Sequence, residues 1–356
     1  LIGVLIFLKY FNFFGSNING LINNLFGLTP IPTLSLMLPL GISFYTLQAV
    51  SYITDVYRGT VKADKNLFRV CLFLTFFPQL IEGPICRYSQ TAESLYNGND
   101  YDSKNIVSGF QLIIWGLFKK IIIADRLNVL VNQVFSNYSN YGGAIIAISV
   151  LCYTIQLYCD FSGCMDIVRG SGELFGIIIP KNFERPFFSG SVSEFWRRWH
   201  ISLGTWFKDY LFYPVSLSSP VKKLGKFSRN HFGNRAGKLI PAVCALFLVW
   251  FSTGLWHGAS WKYAAYGLYY FILISLGMVL EPEINKIKNS LNIKKESKLY
   301  KAFQIFRTFV LVNFGMLIFR ADNLQVCINM FTKLFTDFNP AQVLSFFSIN
   351  LKVDIN

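Results

Sequence analysis

Long apolar runs, separated by short turn-forming or basic stretches, cover almost the whole chain. A hydrocarbon core about 30 Å thick takes about 20 residues of helix. By that measure Ile106–Ile123, Gly143–Tyr158, Ile240–Trp256, Tyr263–Leu280 and Phe303–Phe319 predict spanning helices. Met165–Ile179 is a weaker prediction, because it carries Asp166, Arg169 and Glu173. Leu34–Tyr57 contains Pro39 and Gly41 and is expected to kink or break near its start. Leu67–Ile81 is short and runs into Pro78-Gln79-Leu80-Ile81-Glu82-Gly83-Pro84, where two prolines and a glycine disfavour regular helix. Backbone of that kind at membrane depth has to be buried in protein or line a wet cavity. Leu1–Phe14 reads as the remainder of a helix. The chain is apolar from its first residue, without a basic n-region or cleavage site, so one or more N-terminal spans are expected to be missing. Val343–Phe347 is too short to cross alone.

Composition makes the membrane reading firm. Of 356 residues 53% are hydrophobic and 15% charged, against roughly 25% charged in a soluble domain. The 36 Phe, 18 Tyr and 7 Trp suit spans and interfacial belts, and mean hydropathy is +0.41. On the order of eight to ten spans would fit this length. The net charge of +14 would point to nucleic acid on a polar chain. Here it is concentrated in loops. Between Pro180 and Lys238 eleven Lys and Arg face three acids, Glu184, Glu194 and Asp209, and a second basic run extends from Lys286 to Lys301. Both runs belong on the cytoplasmic side by the positive-inside rule, near anionic lipid, and no nucleic-acid partner is expected. The two spans between them return the chain to that side. The reading is one all-α polytopic bundle over residues 1–356, with 181–238 as a basic cytoplasmic loop carrying interfacial helices.

Chemistry has few candidates in this chain. The seven cysteines are odd in number, without a paired C-x-x-C arrangement, and read as packing residues. No Gly-rich phosphate loop, zinc motif or Gly-x-Ser-x-Gly elbow occurs, which disfavours an ATPase, a metalloprotease and an α/β-hydrolase; no metal is expected. Of three histidines, His231 lies in a basic polar stretch and reads as solvated or lipid-facing. His257 directly follows the apolar run Ala245–Trp256 within Gly254-Leu255-Trp256-His257-Gly258. An ionisable residue there is costly, and a neutral imidazole can take a proton from a hydroxyl near pH 7. A histidine simply bonded to a backbone carbonyl is the bland alternative. His200 lies in Glu194–Tyr210, whose three Trp and flanking cations suit an amphipathic interfacial helix. Arg197 and Arg198 there could pair with phosphates of an activated donor or carrier lipid. Asp160, Asp166 and Glu82 could each orient a basic partner such as Arg169 or an imidazole, or sit in structural ion pairs.

Five stretches occur in a family's order: Phe77–Tyr88 (FPQLIEGPICRY), Tyr158–Gly163 (YCDFSG), Asn182–Phe187 (NFERPF), Phe195–Leu203 (FWRRWHISL) and Gly254–Trp261 (GLWHGASW). Together they resemble the membrane-bound O-acyltransferase (MBOAT) family, and within it the bacterial branch acting on alginate, peptidoglycan and teichoic acid. The tryptophan-flanked form around His200 leans towards the O-acetylating members. The resemblance implies a funnel-shaped multi-helix fold, a catalytic residue at His257 and a second important polar residue at His200. It also implies transfer of an acyl group from a cytoplasmic donor towards an extracytoplasmic polysaccharide, with a separate partner protein.

The expected function is therefore O-acyl transfer, of acetyl in the first instance, in the bacterial plasma membrane. His257 would act as base and His200 as a second catalytic residue that helps hold the donor at the cytoplasmic mouth, with no bound cofactor and with acetyl-CoA or an acyl carrier protein thioester as donor. Arg197, Arg198, Trp196, Trp199, Asp160 and Trp256 would bind donor or substrate. D-alanyl transfer to teichoic acid, a non-catalytic scaffold and a transporter using Asp160, Asp166 and Glu82 are the alternatives.

Overall fold

A computed structural model describes residues 2–28, 31–98, 100, 102–294 and 296–350; Leu1 and Lys295, which belong to the first apolar run and the second basic run, lie outside them. The described residues are almost all helical, with no strand among them. The chain opens with α1 (Ile2–Phe26), α2 (Ile42–Tyr57), α3 (Leu67–Thr75) and α4 (Tyr88–Asn97). As expected, the second apolar run is broken at its start: Pro39 and the left-handed Gly41 precede α2. A single 3-10 turn, Phe77–Gln79, follows α3 before irregular backbone through Pro84.

Next come α5 (Ser103–Leu117), a π-helical turn Phe118–Ala124, α6 (Asp125–Ser136) and the 32-residue α7 (Gly143–Leu174). The sequence pattern predicted two spans, Gly143–Tyr158 and Met165–Ile179, where one unbroken helix exists. Its polar middle does not end it because the π turn aims two consecutive lysines at it. Lys119 bonds Ser162 at 3.0 Å and Asp166 at 2.6 Å, while Lys120 reaches Asp160 at 2.9 Å. Asp166 also meets Arg169 at 3.4 Å, so the structural reading of that carboxylate holds.

The predicted basic loop is mostly structured. It contains α8 (Val192–Arg198), α9 (Ile201–Phe207), α10 (Tyr213–Ser216) and the start of α11 (Ser219–His257). Non-helical Gly233, at φ 87°, interrupts α11. There the chain folds back, since a Cβ on Gly225 would lie 3.1 Å from the Gly237 carbonyl oxygen and 3.0 Å from Pro241. The crossing segment is thus Asn234–His257, about 36 Å of helix at 1.5 Å per residue. His231 sits exposed on the first arm, stacked on Phe227, rather than in a loop.

After the turn at Gly258–Ser260 follow α12 (Trp261–Ser290), α13 (Lys298–Arg320), α14 (Leu324–Thr336) and α15 (Ala341–Asn350). Five helical segments among the described residues are long and apolar enough to cross a membrane: Ser103–Ser136, α7, α11, α12 and α13. That is fewer than length alone suggested, because helix is also spent on short elements beside the site. The main core joins α6, α7, α13 and α14, and Phe195 and Trp199 plug into it.

Candidate functional site

His257 reaches its position through helix packing. The α11–α12 hairpin is so tight that a Cβ on Gly254 would fall 2.2 Å from the Tyr263 carbonyl oxygen. The last carbonyls of α11 are met from α1: Lys9 Nζ donates to the Trp256 carbonyl, and the Tyr10 hydroxyl donates to that of Leu255, which also accepts from the Gly258 N–H at 3.1 Å. Lys9 was missed by the sequence reading, and its signal was a lone cation in the first apolar run. The half-buried His257 ring is edged by Trp256 at 5.0 Å, Phe319 at 5.0 Å and Tyr266 at 5.9 Å. It makes no hydrogen bond among the described residues, which leaves the bland alternative of a carbonyl-bonded histidine without support.

His200 is placed by a polar network instead. The predicted amphipathic helix Glu194–Tyr210 does not form: the chain breaks at Trp199–His200, and His200 takes a left-handed conformation at φ 47°. Residues 182–184 run antiparallel beside it, with Glu184 N–H donating to Arg198 O at 2.9 Å and Ile201 N–H to Asn182 O at 3.0 Å. Buried Asn182 faces His200 Nδ1 at 3.2 Å. Its Oδ1 accepts from the Ser202 N–H at 2.9 Å and hydroxyl at 3.0 Å. With that oxygen engaged, the amide nitrogen is the better partner for Nδ1, which leaves the proton on Nε2; this tautomer is assigned from the network. Nε2 is buried and has no partner. Burial, reinforced by nearby His257, holds the His200 pKa well below the ordinary imidazole value, so the ring is neutral at pH 7. Trp196 and Trp199 are not interfacial: Trp196 packs on Trp250 and Tyr270, and Trp199 on Phe183 and Phe195.

Both histidines line one chamber of about 210 Å³. Its other walls are Phe44, Leu157, Phe161, Trp199, Trp256, Tyr266 and Phe319, with Glu82 and Asp160 as the only acids. Trp199 and His200 also line a second, more apolar groove of about 580 Å³ that carries Arg197 and Lys208. These two residues form the shared wall. The two arginines part company here. Arg198 is tied to Glu194 at 2.6 Å, whereas Arg197 is exposed and lines the groove. Asp160 lines the chamber but is ion-paired with Lys120, and Asp166 is held by Lys119 and Arg169, so neither is free in the way an ion path would need. All seven cysteines are free thiols, and no metal-binding group of three or more His, Cys, Asp or Glu occurs among the described residues.

Chemically, the arrangement offers a neutral imidazole with an unengaged nitrogen, a second imidazole with no hydrogen bond, and two approaches of opposite charge. The profile of the membrane-bound O-acyltransferase family matches residues 61–229, which include His200 and both of its supports, Asn182 and Ser202. A probable alginate O-acetylase of Pseudomonas aeruginosa is 36% identical over 333 residues, 94% of this chain and 58% of the relative. A peptidoglycan O-acetyltransferase of Helicobacter pylori is 31% identical over 350 residues, 91% of this chain and 61% of that protein. A teichoic acid D-alanyltransferase of Streptococcus thermophilus is 30% identical over 302 residues, 81% of this chain and 69% of that protein. The chain spans 57–64% of the length of the alginate O-acetylases it matches. With these relatives extending over most of its length, and with its spanning helices, the chain belongs to the membrane-bound O-acyltransferase family.

Proposed function

We propose that the protein transfers an acyl group, acetyl in the first instance, from a cytoplasmic thioester to a hydroxyl of an extracytoplasmic cell-wall or exopolysaccharide acceptor in the bacterial plasma membrane. The observation that carries this reading is the wall at Trp199–His200, with a basic apolar groove on one side and a chamber holding both histidines on the other. The donor, acetyl-CoA or an acyl carrier protein, brings phosphates and a flexible apolar arm. Arg197 and Lys208 suit the phosphates and the apolar groove suits the arm.

At the wall the His200 Nε2–H donates to the thioester carbonyl oxygen, where negative charge develops in the transition state. His257 takes the proton of the acceptor hydroxyl as that oxygen attacks the carbonyl carbon. The C–S bond then breaks, the sulfur leaves as thiolate, and the proton held by His257 neutralises it. Trp196, Trp199 and Trp256 shape the passage, and Arg198 acts through Glu194 to hold α8. Membrane lipids and an extracytoplasmic partner presenting the acceptor complete the assembly.

The test is acyl transfer by the purified intact protein in liposomes, with labelled acetyl thioester and mass analysis of the product. His257→Ala is expected to lower transfer by at least a hundredfold, in line with the 10²–10⁴-fold worth of a positioned base. Undiminished transfer by a folded His257→Ala protein contradicts the proposal. The product mass separates acetyl from alanyl transfer.

A further inference from the structure

The chamber and the groove differ in sign as well as size. Among the described residues no Lys or Arg lines the chamber, and no Asp or Glu lines the groove. Glu82 stands on the irregular turn between Gln79 and Gly83 and makes no hydrogen bond or ion pair among the described residues. Asp160 is its charged neighbour, and the cation acting on it, Lys120, is divided between Asp160 and Asp125, each at 2.9 Å. Three carboxylates therefore share one ammonium. The turn is fixed relative to the histidines, because the Ile85 N–H donates to the Ser202 hydroxyl at 3.0 Å and that hydroxyl donates to Asn182. His200, whose buried Nε2 has no partner, lines this chamber as well as the groove, so an unengaged polar atom stands at the wall between them.

We infer that the chamber admits uncharged or cationic hydroxyl acceptors and rejects anionic ones, with Glu82 as the specificity-determining residue. This rests on the acyl-transfer reading above. A carboxylate or phosphate on the acceptor would meet Glu82 and Asp160 between the low-dielectric walls of Phe44, Phe161 and Phe319. Like charges a few Å apart in such a site change affinity by roughly ten- to a hundredfold. A neutral diol instead finds carboxylate oxygens able to accept its hydroxyl hydrogens. The charge of the two openings thus sorts the substrates: the anionic thioester fits the groove, and the chamber accepts the hydroxyl that lacks negative charge. An acidic polymer would have to receive its acyl group from a carrier hydroxyl that is itself not anionic.

The test compares three small hydroxyl acceptors in liposomes holding the intact protein and acetyl-CoA: choline, glycerol and glycerate. The expected order of kcat/KM is choline and glycerol above glycerate by at least tenfold. Glu82→Gln should narrow the choline-to-glycerate ratio at least threefold, and Glu82→Asp should retain it; a merely structural role would lower all three rates together and leave the ratio alone. Glycerate accepted as well as glycerol, or a ratio unmoved by Glu82→Gln, overturns the inference. Failure to consume the thioester with any acceptor is a different result and removes the acyl-transfer reading on which it stands.

Discussion

The α11–α12 hairpin and the Lys181–Ser218 segment each deliver one histidine to the same chamber, and they do so by different physical means. The hairpin uses steric contact: Gly254 lets the backbones of two long apolar helices touch, and α1 caps the last carbonyls before His257. The other segment is short, broken and rich in charge. It holds His200 through Asn182, Ser202 and a two-residue antiparallel pairing. Rigid packing fixes where His257 ends up, whereas the hydrogen-bond network fixes which nitrogen of His200 is engaged and which is left without a partner. A site of this kind separates position from tautomer and assigns each to its own element.

The two regions part most sharply at Gly254. Gly254→Val places side-chain atoms where the Tyr263 carbonyl stands, and overpacking of this type costs about 1–3 kcal/mol or more. The expected result, read by thermal unfolding in detergent, is a Tm lowered by roughly 5 °C or more, with activity lost in proportion to folded protein. On the network side the loss should differ in kind. Asn182→Ala leaves the Ser202 N–H and His200 Nδ1 without their partner, at about 1–3 kcal/mol. Transfer per folded molecule should fall about tenfold, because His200 loses its orientation as well as its support. A proportional loss in both variants would erase the distinction between the two regions.

The same contrast accounts for what was legible in the sequence. The hairpin and His257 follow from an apolar run, a small-residue turn and a second apolar run, a pattern that depends only on neighbours in the chain. Glu194–Tyr210 is not one surface helix because its tryptophans find distant partners: the Trp196 ring packs on Trp250 and Tyr270, and the Trp206 N–H donates to Leu47 O. The polar middle of α7 read as an interruption for a related reason. Its carboxylates pair with Lys119 and Lys120, some forty residues earlier, which the π turn after α5 presents to α7. The Arg197–Arg198 pair looked uniform, yet the i,i+4 position of Glu194 engages one and not the other. Cooperation between distant polar groups is what a linear pattern does not carry.

In the proposed mechanism an anionic thioester reaches the histidines through the basic groove on the α8–α9 side. The most direct measurement of this route is photo-crosslinking of the intact protein with a non-hydrolysable acyl-CoA analogue bearing a photoreactive acyl end, followed by peptide mapping. Adducts are expected on the 196–208 peptide and at Trp256 or His257, competed away by acetyl-CoA and weakened by Arg197→Ala. Adducts confined to the Glu82 and Asp160 side, or to lipid-facing helix surfaces, would contradict it.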